Sequence, residues 1–251
     1  MDRVPESEEQ QLLCHGADST GGRPGRPRRS GYRGRVGEVR ERVAARYAEL
    51  DLPAWANPHA DEWPTRDESE YSRVTDPQRY RIVAERARLW VEALAGLPGV
   101  GRTDPAAGHT VLTSAAPGAL PIHVFVDEDP PAALRLGVGR PEIVDDPVPD
   151  CACDACDFGS VDLLEAIDDG FADLVGGPVV VLTHRRWQAR WFGAGDGHLR
   201  VGGASPPEFW TVQAWCERLA AGREVALPGG TEAQIGRTFL PGGAVLPDGT
   251  G

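Results

Sequence analysis

Six short apolar runs constrain what this chain can become. The first three are 109–113, 120–126 and 133–138, separated by Ala116-Pro117-Gly118 and by Pro130-Pro131. The second three are 179–183, 187–192 and 198–201, with Asp196-Gly197 as the turn signal before the last. Trp187, Ala189 and Trp191 alternate with Gln188 and Arg190, as a half-buried strand requires. Strands this short, joined by connections this tight, favour antiparallel neighbours, because a parallel crossover needs a dozen or more residues. Pro121 confines the start of the second run to an edge or a strand start.

Helices at period 3.6 frame these runs. Val36, Val39, Val43, Tyr47 and Leu50 share one face over 35–50, and Leu52-Pro53 ends that helix. Asp76-Pro77 offers an N-cap and a first-position proline to a second helix. Its buried stripe is Tyr80, Val83, Ala87, Trp90, Leu94 and Leu97, with Arg79, Arg81, Arg86 and Arg88 around it. A third helix is expected over 160–174 and a fourth over 207–221. The fold class expected is therefore α+β, one domain over 35–224. It would hold an antiparallel or mixed sheet of about five to six strands packed by about four helices. Residues 1–34 read as a disordered Arg/Gly/Pro-rich arm and 225–251 as a disordered Gly/Pro-rich tail. The 53–75 loop, with Trp55, His59 and Trp63, is long enough to cover a surface or serve a site, and the two tryptophans read as clamps over the core.

Chemistry is concentrated in Pro149-Asp150-Cys151-Ala152-Cys153-Asp154-Ala155-Cys156-Asp157, which holds three of the five cysteines. Between Arg140 and His184 there is no basic residue and there are 11 acidic ones. Three readings stand. Cys153 and Cys156 have the spacing that lets two thiolates reach one zinc, with Cys151 as a third ligand and Cys216, a loop Asp, His59 or His184 as a fourth. Alternatively the thiols do redox chemistry, which the neighbouring carboxylates oppose by raising thiol pKa. In the third reading the loop is purely structural, with Asp157 or Ser160 capping the helix that follows. Arg73, Tyr80 and Arg81 are candidate substrate or anion anchors should the chain be an enzyme using this loop or the 53–75 loop, although ion pairs with Glu68, Glu70 or Glu85 also account for the two arginines.

Glu70-Tyr71-Ser72-Arg73-Val74-Thr75-Asp76-Pro77, Tyr80-Arg81, Ala116-Pro117-Gly118-Ala119-Leu120-Pro121 and the run from Pro149 to Asp157, taken in order, resemble an uncharacterised actinobacterial family. It is the domain of unknown function numbered 6226, with a PDCxCDxCD signature. The resemblance spans about Arg35 to Ala221 and brings no activity, substrate or cofactor with it. With no long apolar run, no apolar N-terminal stretch and an odd cysteine count, a reducing cytoplasmic setting is expected. A net charge of −12 disfavours nucleic acid as a partner. The function expected is a binding or interaction module with a structural, zinc-holding or metal-free Cys/Asp loop. An enzyme of unknown reaction is the alternative.

Overall fold

The computed structural model describes residues 34–59, 67–194 and 197–241. Residues 1–33 of the expected 1–34 arm, the end of the tail from 242, Trp63 and Asp196 lie outside the described residues. Helix α1 (Arg35–Ala48) turns Val36, Val39 and Val43 inward, one stripe at helical spacing. Helix α2 (Arg81–Ala95) is buried along Ile82, Val83, Ala87, Trp90, Val91 and Leu94. A 3₁₀ turn, Pro77–Tyr80, precedes it, so Pro77 opens that turn and not the helix itself. Asp76 is not the expected N-cap: it sits in the left-handed region at φ 50° and its side chain makes no capping bond.

Four strands follow in a meander: β1 (Val100–Ala106), β2 (His109–Ser114), β3 (Ile122–Asp127) and β4 (Ala133–Val138). All pairs are antiparallel, in the order β1-β2-β3-β4. Helix α3 (Gly159–Gly176) then carries the chain to a second sheet. That sheet contains β5 (Val179–His184), β6 (Trp187–Phe192), β7 (His198–Gly203) and, after helix α4 (Phe209–Ala220), β8 (Glu232–Gly236). Its order is β7-β6-β5-β8, again antiparallel throughout.

The α+β class and the single domain hold, but the single sheet does not: the described residues form two four-stranded sheets. The insertion of α3 between β4 and β5 separates them. Two of the eight strands fall outside the six runs. β1 contains Asp104 and Pro105 and is exposed along nearly its whole length, so neither propensity nor burial marks it. β8 lies inside the 225–251 segment read as a tail. It pairs residue for residue with β5, from Val179↔Gly236 to Thr183↔Glu232.

The main core lies between the first sheet, α1, α2, α3 and one face of the second sheet. It includes Trp90 stacked on Phe171 at 5.1 Å, with Leu112, Ile122, Leu134, Val181 and Phe192 around them. The other face of the second sheet packs Val180, Leu182, Trp187 and Ala189 against Val212 and Cys216 of α4. β5 is thus buried on both sides, which is why it reads as an unbroken Val-Val-Val-Leu run. No helix among the described residues is long and apolar enough to cross a membrane.

Candidate metal centre

After β4 the chain folds back along that strand. Val148 exchanges backbone hydrogen bonds with Leu134 at 2.7 and 2.9 Å, and Asp145 N donates to Leu136 O at 2.7 Å. The cysteine run begins where this return ends. Asp154–Cys156 form a 3₁₀ turn, closed by Cys156 N donating to Cys153 O at 2.9 Å. The turn draws the C-x2-C pair onto one side, and Cys151 joins them. The three Sγ atoms lie within 4.8 Å of one another. Cys151 Sγ and Cys153 Sγ are 3.0 Å apart, and the Cys153 N–H donates to Cys151 Sγ at 3.4 Å. Cys153 is buried; Cys151 and Cys156 keep partial access to solvent.

The aspartates within and beside the cysteine run fix this geometry. The Asp154 carboxylate accepts from Arg73 Nε at 2.6 Å and from Thr75 N and Oγ1, both at 2.7 Å. Its own N–H donates to Arg73 O at 2.8 Å. Asp157 accepts from Trp55 Nε1 at 2.9 and 3.1 Å, from Arg79 at 2.6 Å and from Gly159 N at 2.8 Å. Arg79 in turn lies over the Trp55 ring at 4.7 Å. Ser160 N and Oγ both donate to Trp55 O at 3.1 Å, and Trp55 N donates to Ser160 Oγ at 3.1 Å. His59 Nε2 stands 3.0 Å from Asp154 O. Asp150 Oδ1 accepts from Cys151 N at 2.8 Å.

These contacts decide the electrostatics. Burial raises the Asp154 carboxyl, but the hydrogen bonds from Arg73 and Thr75 outweigh it and hold the group at about 2. Burial, reinforced by the neighbouring sulfurs, pushes the Cys153 thiol far up, and burial pushes Cys156 up to about 11. At neutral pH both are thiols, hence poor nucleophiles, unless a cation displaces their protons.

The candidate anchors lie apart in role. Arg73 is bound to Asp154 and not to Glu68 or Glu70. Tyr80 is buried and donates to Ala152 O at 3.3 Å, with burial raising its phenol. Arg81, at the first position of α2, is exposed. Cys216 belongs to the second core, where burial pushes its thiol up to about 12, and His184 lies 5.7 Å from the Trp187 ring at the end of β5. Neither joins the three sulfurs. Arg79, Thr75 and the indole N–H of Trp55 are the participants the sequence reading overlooked. Arg79 looks like one more surface arginine on an amphipathic helix, and no local pattern marks it as the partner of an aspartate 78 residues away.

Arg73, Thr75, Arg79 and Tyr80 therefore meet the 149–157 run, each across more than 70 residues of chain. A family model described as "Family of unknown function (DUF6226)" matches residues 41–235. No curated protein and no solved structure matches the chain.

Proposed function

This chain belongs to that family of unknown function, and for it we propose a binding module whose Cys/Asp loop holds a thiolate-bound metal ion, zinc by the chemistry of its donors. The observation that carries the reading is the convergence of three sulfurs, within 4.8 Å, on a loop braced from outside. Thiolates sharing a tetrahedral zinc stand about 3.8 Å apart, given Zn–S bonds near 2.3 Å. One pair of sulfurs stands at 3.0 Å and all three lie within 4.8 Å, close enough to share one such ion after small adjustments. Soft sulfur donors select zinc or copper(I) over magnesium or calcium. Because burial holds the protons on Cys153 and Cys156, an ion must displace them to bind, so its affinity rises with pH. The setting is a reducing cytoplasm in which the cysteines stay unoxidised. With a net charge of −12, the module's partners are not nucleic acids.

Metal analysis of the full chain, purified without chelator, tests this. One zinc per chain is expected, with Cys151, Cys153 and Cys156 protected from alkylation until a chelator is added. A metal-free protein whose three loop thiols react equally with and without chelator overturns it.

A further inference from the structure

The 51–59 segment and the cysteine loop run past each other in opposite directions. Trp55 meets Asp157 and Ser160. Asn57 lies against Gly159 so closely that a Cβ there would stand 2.6 Å from its backbone nitrogen. His59 then arrives at Asp154, between the two cysteines of the C-x2-C pair. The backbone at His59 is itself held, its N–H donating to Asn57 Oδ1 at 2.8 Å.

The hydrogen bond at the imidazole sets its tautomer. A carbonyl oxygen only accepts, so the 3.0 Å contact with Asp154 O requires the hydrogen on Nε2. In the neutral ring the lone pair is then on Nδ1. Metal-ligating histidines have this arrangement, one ring N–H on a backbone carbonyl and the other nitrogen on the ion. Of the other donors suggested by the sequence, Asp150, whose Oδ1 accepts from Cys151 N at 2.8 Å, is the competing ligand, and the rest are occupied or distant. Asp154 and Asp157 are engaged by Arg73, Thr75, Arg79 and Trp55, Cys216 lies in the second core, and His184 packs on Trp187.

We propose that His59, through Nδ1, is the fourth ligand of the three-cysteine site, giving a Cys₃His set. This rests on the metal reading above. The three sulfurs are the donors that already lie within 4.8 Å of one another among the described residues, so the imidazole moves in as the ion binds. Metal binding thereby staples the 51–59 segment to a loop more than 90 residues away, as the 95-residue separation of His59 and Asp154 illustrates.

Cobalt(II) titrated into the chelator-treated full chain is the test, with wild type, His59→Ala and His59→Gln compared. His59→Gln keeps an N–H donor for Asp154 O while removing the ring nitrogen, so it guards against a folding defect. Sulfur-to-cobalt charge-transfer bands are expected in all three. Both variants should bind cobalt more weakly, by about tenfold or more. Their d–d bands should move from the wild-type positions, and added imidazole should restore those positions in His59→Ala. Wild-type affinity and unmoved d–d bands in both variants would remove His59 from the ligand set and leave the thiolate site standing. A wild-type chain with no charge-transfer band would overturn both the ligand and the metal reading.

Discussion

Asp168 is a heavily committed carboxylate of the core. It takes Arg86 in a two-point pair at 2.8 and 2.6 Å and the Trp90 indole N–H at 2.7 Å, and Arg40 Nε stands 3.4 Å away. Arg86 and Asp168 are each 4% exposed, so neither can turn to water. Removing one partner leaves the other charge buried and unpaired. Asp168→Ala is expected to cost about 3–5 kcal/mol, read as a fall in the urea midpoint with the slope of the transition unchanged. A loss under about 1 kcal/mol would mean that water reaches Arg86. Arg86 reads in the sequence as one of four arginines around a helical stripe, and only its partner on α3 places it inside. The same holds at the candidate site. In the sequence the aspartates of the cysteine loop look like a negative field for a cation. In the structure Asp154 and Asp157 are spent on Arg73, Thr75, Arg79 and Trp55, so their role is to brace the sulfurs. The three cysteines were legible because their spacing is local. Their braces from Arg73, Thr75, Arg79 and Trp55 were not, because each of these is a contact across more than 70 residues.

Among elements, the opening of α3 depends on one glycine. Gly159 has φ +88° and presses on the backbone of Asn57, so a side chain there meets both a left-handed backbone and a clash. Gly159→Ala should destabilise by more than about 2 kcal/mol, the left-handed cost alone being roughly 1–2. It should also loosen the Trp55 contacts with Asp157 and Ser160, seen as a red shift in tryptophan fluorescence. Unchanged stability and emission would show that the 51–59 segment is not seated on this helix. The four helices were legible to within a few residues because an apolar stripe at period 3.6 survives in any packing. The capping role assigned to Asp76 was not, since a 3₁₀ turn intervenes and only the surrounding packing selects it.

At the scale of the molecule, the end of the chain closes the second sheet. β8 covers the edge of β5, and behind it Phe239 and Leu240 enter the main core. Arg35, at the start of α1, donates to Pro241 O, so both ends of the described fold are tied together. Truncation after Pro228 would bare the Val179–Leu182 edge and remove two core side chains. It is expected to lower the melting temperature by well over the roughly 2–4 °C that 1 kcal/mol is worth at this size and to aggregate through the unpaired strand. A truncated chain that stays monomeric and melts with the full one would count against β8. The sequence by itself determined the helices, six of the eight strands among the described residues, a preference for antiparallel neighbours and the cluster of thiols. Each of these is written in spacing along the chain, where the periods of helix, strand and chelate are local. Only the tertiary structure decided that the strands divide into two sheets, that β1 and β8 are strands at all, and that Trp55, His59, Arg73 and Arg79 gather on the cysteine loop. Those outcomes depend on which surfaces remain to be covered once the helices have packed, and that is fixed by contacts between distant residues.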